Sequence, residues 1–311
     1  MKILLLDKNH PLITEQLSQK GFVLEEDFSS PYDEILEKIS NYDGIIIRSR
    51  IPVDAPLLER AKNLKFIARV GAGMENIDTT KAEELGIKLI NSPEGNRDAV
   101  AEHCLGMLLV LMNRLFISSN EVKSNIWLRE ENRGEEIKGK TFGLIGYGNM
   151  GKALAQRLHG FGCKVIFHDT KPHLSDEFAT QVSLEKLQEE TDILSLHIPL
   201  TEETHYLIDE NFIAKMKKNF YFINTSRGKN LKTSALVEAL KSGKIKAVCL
   251  DVLEYEKSSF ENLETQNEDL QYLLDSEKVL ITPHIAGWTH ESKVKLAQVI
   301  VDKILAENYL P

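Results

Sequence analysis

Residues 142–151 read Phe142-Gly-Leu-Ile-Gly-Tyr-Gly-Asn-Met-Gly151, a short apolar strand that runs directly into a glycine-rich turn. Three of its glycines have the spacing GxGxxG, and a helical stretch, Lys152–Leu158, follows. The first glycine of such a turn permits the tight bend, the second lets the backbone approach a diphosphate, and the third lets helix and strand pack closely. The stretch therefore predicts a dinucleotide site on a parallel α/β sheet, although a tight strand–helix turn without a ligand has the same spacing. The predicted cofactor contacts here are Gly146, Tyr147, Gly148, Asn149, Met150 and Gly151.

A carboxylate lies where a dinucleotide site needs one. Asp169 follows the next apolar strand and comes 23 residues after Gly146, near the spacing of about 20 residues at which an acidic side chain binds the adenosine ribose 2′-hydroxyl. The same carboxylate would repel a 2′-phosphate, because both groups are negative. We therefore predict NAD rather than NADP as the cofactor.

Short apolar strands alternate with amphipathic helices along the whole chain, as is typical of parallel sheets covered on both faces. The 311 residues are enough for two domains. The predicted strands are Ile3–Leu6, Gly44–Arg48, Phe66–Val70 and Lys88–Ile90, then Phe142–Ile145, Lys164–Phe167, Ile193–His197, Phe220–Asn224, Ala247–Asp251 and Val279–Thr282. The pattern predicts an α/β fold: two Rossmann-like or flavodoxin-like, doubly wound parallel-sheet domains with a cleft between them.

The two groups of strands are separated by a long apolar-periodic segment, Arg97–Val122, which we predict as one helix. Such a helix crosses between domains or lines a subunit interface, or it is a buried core helix. The last helix, about Thr289–Glu307, should dock back against the first domain. We expect a discontinuous substrate-binding domain, 1–97 plus 286–311, and an NAD-binding domain, 98–285. The acidic segment Glu254–Asp275 is predicted to be a long loop with a helical turn.

Composition excludes several classes of protein. A formal net charge of -9 argues against a nucleic-acid surface, which is normally basic. No apolar run approaches the roughly 20 residues that a membrane span needs, and the first ten residues predict a strand rather than a signal peptide. The three scattered cysteines form no CxxC pair, so we predict neither a disulfide framework nor a metal site, and a reducing cytoplasm fits best.

Reactive side chains follow three of the later strands, at the sheet edge where open parallel sheets bind ligands. Arg227 follows one strand, and its guanidinium can hold a carboxylate in two parallel hydrogen bonds. Glu254 and Glu256 follow the next strand. His284 follows the last one, and a histidine can exchange a proton near neutral pH when a hydride moves at the hydroxyl-bearing carbon. A neighbouring carboxylate would fix the histidine tautomer.

The motifs GYGNMG, INTSRG, DVLEYE and TPHIAGWT, in this order, resemble those of the D-isomer-specific 2-hydroxyacid dehydrogenases. The earlier stretches RVGAGMENID and NSPEGNRDAVAEH add to the resemblance, which covers nearly the whole chain. Among members of the family, the chain is most similar to D-3-phosphoglycerate dehydrogenases of the short type. The resemblance implies an NAD-dependent enzyme that acts on a D-2-hydroxy acid or 2-keto acid, with a homodimer as its assembly.

The resemblance also implies roles for individual residues. Arg227 matches the substrate-binding arginine, Glu256 the carboxylate partner, and His284 the acid/base that also contacts substrate. Two departures are Lys257, where the family usually has proline, and Glu254, a second carboxylate that competes with Glu256 for the catalytic role. The further positions implied are Ala72 and Gly73 as an amide nest for the substrate carboxylate, Asn76 on the hinge side, Asn96 and Glu102 near the cofactor, His197 beside the adenosine, and Thr225 and Asp251 as cofactor contacts.

The substrate depends on softer signals. Arg48 and Arg50 follow the second predicted strand, where they can bind a second anionic group or form a solvated turn. Trp288 either covers the nicotinamide or packs the hinge. We expect 3-phospho-D-glycerate as the substrate, with glyoxylate/hydroxypyruvate reduction or D-lactate oxidation as alternatives, and a non-enzymatic NAD-sensing protein as the alternative from another class. Formate oxidation is disfavoured, because that branch has glutamine where this chain has Glu256.

Overall fold

The structure of the protein is a computed structural model that describes residues 1–256 and 267–307. The chain divides into two compact units. The first unit comprises Met1–Arg97 together with the C-terminal stretch that begins at Trp288, and the second comprises Asp98–Gly287.

Strands and helices alternate throughout the described chain. The first part contains β1 (Lys2–Leu5), α1 (Leu12–Gln19), β2 (Val23–Glu26), α2 (Tyr32–Lys38), β3 (Gly44–Ile47), α3 (Ala55–Arg60), β4 (Phe66–Arg69), α4 (Thr79–Glu84), β5 (Lys88–Asn91), α5 (Pro93–Met112) and α6 (Leu115–Lys123). The second part contains β6 (Thr141–Ile145), α7 (Asn149–Leu158), β7 (Lys164–His168), β8 (Thr180–Gln181), α8 (Leu184–Glu190), β9 (Ile193–Leu196), α9 (Glu210–Lys215), β10 (Phe220–Asn224), α10 (Thr233–Lys241), β11 (Ile245–Leu250), α11 (Glu268–Asp275), β12 (Val279–Ile281) and α12 (His290–Ala306).

The first unit is built on a five-stranded parallel sheet in the order β2-β1-β3-β4-β5. Its central strand β3 is a run of isoleucines, Ile45–Ile47, and all three are fully buried, as expected for a parallel strand covered on both faces. One face packs on α12, whose Ala297 and Ile300 share a core cluster with Ile3 of β1. The C-terminal helix is therefore part of the same core as the first strand.

The second unit is a seven-stranded parallel sheet in the order β12-β11-β10-β9-β6-β7-β8. Strands β6 to β8 extend the sheet towards one edge, and strands β9 to β12 extend it towards the other. The strand order therefore reverses between β6 and β9, which are hydrogen-bonded neighbours. Such a reversal opens a crevice at the carboxyl ends of the strands, where doubly wound folds bind their ligands. The glycine-rich turn follows β6 directly, so the sequence places it at this crevice. The prediction of two doubly wound parallel sheets is confirmed.

The prediction of one long helix over Arg97–Val122 is wrong. α5 ends at Met112 and α6 begins at Leu115, and the two helices meet at 57°. Arg114 between them has a φ of 52°, in the left-handed region, which a continuous right-handed helix cannot contain. No single helix of the described chain passes the length and composition test for a membrane span, and α5 and α6 pass it only when taken together.

The acidic segment Glu254–Asp275 contains the helical part that was predicted, and it is longer than a single turn. Its last eight residues form the regular helix α11, capped by the Asn267 side chain, which accepts from the backbone N–H groups of Asp269 and Leu270. Residues 257–266, which include the departure from the family pattern at Lys257, lie outside the described part of the chain.

Candidate active site

Glu256 and His284 form a direct pair. The Oε2 atom of Glu256 lies 2.7 Å from Nδ1 of His284, and Oε1 accepts a hydrogen bond from the backbone N–H of Leu253. The carboxylate is thus held in place by its own turn while it orients the imidazole. Because Nδ1 faces the carboxylate, a proton exchanged with substrate must move at Nε2.

His284 is fixed through its backbone as well as its ring. Its φ is 54°, a left-handed conformation for a residue with a Cβ. The N–H of His284 points to the carbonyl oxygens of Asp251 and Thr282, at 2.8 Å and 3.0 Å. The Asp251 carboxylate is 1% exposed and accepts the N–H groups of Ile285 and Ala286, both at 2.8 Å. Asp251, predicted as a cofactor contact, therefore lies under the histidine turn and holds its backbone.

The Arg227 turn lies against the segment that carries Glu256, because Gly228 allows a close approach. A Cβ on Gly228 would lie 1.9 Å from the carbonyl oxygen of Leu253, so only glycine fits at this position. The guanidinium of Arg227 donates to the carbonyl of Ser226 at 2.6 Å, which fixes the direction of the side chain. Arg227, Glu256 and His284 all belong to the second unit, as the sequence predicted from the ends of its strands.

A buried polar network that the sequence analysis missed supports this turn. Asn224 accepts from the backbone and hydroxyl groups of Ser226 and donates to the carbonyl of Arg227 at 3.0 Å. Asn230, fully buried, donates to the carbonyls of Pro199 and Thr204. The signal that could have found these residues is the pattern NTSRGKN itself, which places amides and a hydroxyl in a segment that follows a buried strand.

Glu254, the competing carboxylate, is occupied elsewhere. Its Oε1 accepts from the Tyr206 hydroxyl, and its Oε2 accepts at 2.9 Å from the N–H of Thr233, the first residue of α10. A carboxylate at a helix start stabilises the helix through its orphan N–H groups and its dipole. The structure therefore pairs His284 with Glu256 and gives Glu254 a different set of partners.

The glycine-rich turn has the close contacts that a diphosphate cradle needs. A Cβ on Gly146 would lie 2.4 Å from the carbonyl oxygen of His197, and one on Gly151 would lie 2.3 Å from that of Gly146. Gly148 precedes α7 and has no atom within 4 Å of the position of its missing Cβ. This open space lies at the start of α7, where the first N–H groups of a helix (here Asn149 and Met150) are not used by the helix itself and can bind a diphosphate. These residues fit NAD.

Asp169 lies beside this turn, where its carboxylate accepts from the N–H of Tyr147 at 2.7 Å and from that of Lys171 at 2.9 Å. The Tyr147 side chain is 1% exposed and stacks on Phe167. The ring of Tyr147 is therefore closed to a ligand, and its backbone N–H is already used by Asp169. Burial and a hydrogen bond to Asp176 raise the pKa of the Tyr147 hydroxyl.

Two further predicted cofactor contacts lie at neighbouring strand ends. His197 follows β9, and its Nε2 lies 2.9 Å from the Ser195 hydroxyl. Burial lowers the pKa of His197 to about 4, so its ring is neutral at pH 7. Thr225 follows β10, and its hydroxyl lies 3.2 Å from the Cys104 thiol, whose pKa burial raises to about 12.

The predicted amide nest follows β4 in the first unit. Gly71 has a φ of 152°, and its N–H donates to the Ser92 hydroxyl at 3.0 Å. The carbonyl of Ala72 accepts from the Asn91 side chain at 2.7 Å. Because these bonds use the N–H of Gly71 and the carbonyl of Ala72, they fix the turn without using the N–H groups of Ala72 and Gly73.

Arg48 and Arg50 have different environments. The Arg48 guanidinium lies over the Trp288 ring, 4.4 Å from its centroid, while Trp288 itself is 62% exposed. Arg50 turns inward and donates to the carbonyls of Leu6, Ser30 and Asp27 at 2.6, 2.6 and 3.0 Å. Arg50 therefore connects its own segment to the end of β1 and to the loop between β2 and α2. Of the two arginines, only Arg48 stacks on an exposed aromatic ring.

Three further predicted residues remain, two in the first unit and one in the second. Asn76 donates to the carbonyl of Ile51 at 3.4 Å within the first unit. The side-chain oxygen of Asn96 is buried with no hydrogen-bond partner among the described residues, so an acceptor is available there. Glu102 pairs with Arg157 at 3.1 Å on the surface of the second unit. Of these three, Asn96 has the environment expected of a ligand contact.

Comparisons with known proteins agree with this geometry. The family model for the NAD-binding domain of D-isomer-specific 2-hydroxyacid dehydrogenases matches residues 105–286. Hydroxypyruvate reductase of Thermotoga maritima is 38% identical over 275 residues, which are 88% of this chain and 88% of that protein. D-3-phosphoglycerate dehydrogenase of Archaeoglobus fulgidus is 33% identical over 98% of this chain, which spans only 57% of that protein's length.

The solved structures agree as well. D-lactate dehydrogenase of Aquifex aeolicus, complexed with NAD and lactic acid, is 29% identical and superposes with a TM-score of 0.83 over 99% of this chain and 95% of that one. The prediction of an NAD-dependent enzyme of this class is confirmed. The chain belongs to the family of D-isomer-specific 2-hydroxyacid dehydrogenases.

Proposed function

We propose that the protein interconverts 3-phospho-D-glycerate and 3-phosphohydroxypyruvate with NAD, the redox step that opens serine biosynthesis. The observation that carries this proposal is the stack of Arg48 on Trp288. Stacking engages the face of a guanidinium, whereas a guanidinium binds phosphate through the N–H groups that lie in its plane. In this proposal the first unit binds substrate and the second binds NAD.

The chemistry follows from the second unit. Arg227 would hold the substrate carboxylate and polarise the neighbouring C2 carbonyl. Nε2 of His284 would take the C2 hydroxyl proton in oxidation and return it in reduction, while Glu256 stabilises the charged imidazole through Nδ1. Bound NAD would supply the hydride chemistry at C2, and the turn from Gly146 to Gly151 with Asp169 would hold it. In the first unit, the amides of Ala72 and Gly73 would offer a nest for a carboxylate.

Reduction of hydroxypyruvate or glyoxylate is the second candidate. Arg50 donates to three backbone carbonyls, so a paired-arginine phosphate site is reduced to Arg48. The relatives also include a hydroxypyruvate reductase at 38% identity and a glyoxylate reductase of Thermococcus litoralis at 35%. An enzyme for a small unphosphorylated acid needs no second cation beyond Arg227.

The decisive assay follows NADH consumption with phosphohydroxypyruvate, hydroxypyruvate, glyoxylate and pyruvate in parallel. We expect the highest kcat/KM for phosphohydroxypyruvate, and this advantage should fall about tenfold or more in Arg48→Met. Higher rates with hydroxypyruvate or glyoxylate would establish the second candidate. Tight NADH binding with no turnover of any of the four acids would favour a non-enzymatic NAD sensor.

The assignment of the carboxylate has its own test. Glu256→Gln removes the charge beside His284, and we expect kcat to fall about 100-fold, in the range of general acid–base catalysis. Glu254→Gln makes the same chemical change two residues earlier and should lower the melting temperature while kcat changes less than threefold. Equal losses of kcat in both variants would show that the pairing of Glu256 with His284 does not determine the rate.

We also propose that two copies of the chain associate through α6 and the segment after it. Six of the thirteen large apolar side chains that are exposed in the described chain lie within residues 115–128. Trp127 is 81% exposed, and a cluster of this kind marks an interface. These six residues are Leu115, Phe116, Val122, Ile126, Trp127 and Leu128.

Sedimentation should therefore give twice the 35.2 kDa mass of one chain. The double variant Phe116→Ser/Trp127→Ser should shift the protein to a single chain, whereas Val294→Ser, an exposed apolar residue on α12, should leave the mass unchanged. A single-chain mass for the unaltered protein would refute this assembly.

A reducing cytoplasm is the compartment we propose, since Cys104, Cys163 and Cys249 are free thiols.

A further inference from the structure

One titratable side chain near the catalytic histidine has no part in the mechanism above. His103 lies on α5, and its Nε2 is 3.0 Å from the hydroxyl of Thr282 and 3.6 Å from Oδ1 of Asp251. The side chain is 21% exposed, whereas that of Asp251 is 1% exposed. The imidazole therefore lies between the solvent and a deeply buried carboxylate.

The Thr282 hydroxyl has two possible acceptors, Oδ1 of Asp251 and the Met107 sulfur at 3.8 Å, and the thioether sulfur is the weaker one. The hydroxyl lies 2.5 Å from Oδ1 of Asp251, and a carboxylate can only accept. Because a hydroxyl has a single proton, Thr282 donates to Asp251 and must accept from His103. Nε2 of His103 therefore carries a proton, in either the neutral or the charged ring.

This chain of bonds ends at the catalytic histidine. Asp251 holds the backbone of residues 284–286 through its carbonyl and both carboxylate oxygens. That grip keeps His284 at a φ of 54°, a conformation that persists only where surrounding contacts impose it. Rotation of the Asp251 carboxylate would release the amides of Ile285 and Ala286 together.

We propose that His103 is a positioning residue for the proposed reaction, acting through Thr282 and Asp251 on His284. Its proton on Nε2 completes the hydrogen bonds of the Thr282 hydroxyl, and this fixes the rotamer of the buried carboxylate. The helix α5 thereby contributes to the geometry of a histidine that lies far along the chain. The proposal rests on the acid/base role of His284 in the proposed function.

The kinetic test compares two substitutions of the same residue. His103→Phe keeps the ring shape and removes the donor, whereas His103→Gln keeps an N–H donor at nearly the position of Nε2. With the best of the four keto acids, we expect kcat to fall about 30-fold in the phenylalanine variant, as misplacement of a reacting group does. The glutamine variant should stay within about threefold of the unaltered enzyme, and the KM for NADH should be unchanged in both. His290→Phe, on the exposed start of α12, is the matched control.

The isotope effect separates positioning from a general loss of structure. With NADH deuterated at the transferred position, the effect on kcat should rise in His103→Phe, since a misplaced acid slows the chemical step itself. Partial unfolding would lower the amount of active enzyme and leave the isotope effect as it was. An unchanged kcat in His103→Phe, or an equal loss in His103→Gln, would overturn the proposal.

A spectroscopic test does not need turnover, so it holds even if the proposed function fails. Long-range ¹H–¹⁵N spectra of the histidine rings should show His103 protonated at Nε2. They should also show the ring signals of His284 shifted in His103→Phe but not in His290→Phe. An unprotonated Nε2 on His103, or unchanged ring signals of His284 in His103→Phe, would refute the positioning role of His103 independently of any activity.

Discussion

Replacement of Arg50 by methionine should destabilise the first unit and leave the chemistry intact. The guanidinium donates to the carbonyls of Leu6, Ser30 and Asp27 at 2.6, 2.6 and 3.0 Å. Methionine occupies much of the same volume but has no donor. Three carbonyl groups, one after β1 and two between β2 and α2, would therefore lose their common partner.

The magnitude follows from these three bonds. Each hydrogen bond to a charged group contributes about 1.5 kcal/mol at the low end of its range, so the three together contribute about 4.5 kcal/mol. Arg50 is partly exposed, and water would replace some of the lost donors. We therefore expect a loss of about 3 kcal/mol in the free energy of unfolding, or about 10 °C in melting temperature for a unit of this size.

The assay is calorimetric unfolding combined with steady-state kinetics, and Arg48→Met is the matched control. Arg48→Met makes the same chemical change two residues earlier, where the partner is the Trp288 ring. The control should change the melting temperature by less than about 3 °C and raise KM for phosphohydroxypyruvate. A normal melting temperature with a raised KM in Arg50→Met would refute the reasoning, since it would show that Arg50 binds substrate.

Three further outcomes are expected from the second unit. His284→Ala should abolish turnover while NADH still binds, as fluorescence titration will show; a rate within about tenfold of the unaltered enzyme would exclude the acid/base role. Gly228→Ala places a Cβ 1.9 Å from the Leu253 carbonyl oxygen, so it should raise KM for the keto acid and lower the melting temperature, and a variant with neither effect would contradict the close packing. Asp169→Ala should lower the ratio of kcat/KM for NADH over NADPH, and an unchanged ratio would place the ribose contact elsewhere.

Strand positions were predictable because buried parallel strands are short apolar runs. The run Phe220–Asn224 has the predicted bounds, and the glycine turn after β6 was placed correctly from its spacing. Two strands were missed for a physical reason: Val23–Glu26 and Thr180–Gln181 lie at sheet edges, where one side faces water and the sequence is polar. These two edge strands lack the hydrophobic signal on which the prediction depended, whereas the edge strands β5 and β12 have an apolar run and were predicted.

The break between α5 and α6 was not predictable in the same way. Arg114 adopts a left-handed conformation, and no glycine or proline beside it in the sequence indicates that the helix ends there. The same limit applied to the two arginines after β3: local sequence makes Arg48 and Arg50 equivalent, and only the tertiary fold gives one an indole and the other three carbonyls. The pairing of His284 with Glu256 rather than Glu254 was predicted, because it depended on spacing along the chain.

The left-handed backbone of His284 lowers the stability of the fold at the residue that the proposed mechanism needs for turnover. A residue with a Cβ in that region is disfavoured by roughly 1 kcal/mol relative to glycine. Glycine at position 284 would relieve this strain and give a protein that melts higher and does not turn over. A selection for thermal resistance alone would therefore enrich glycine at this position, whereas a selection for turnover would keep the strained histidine.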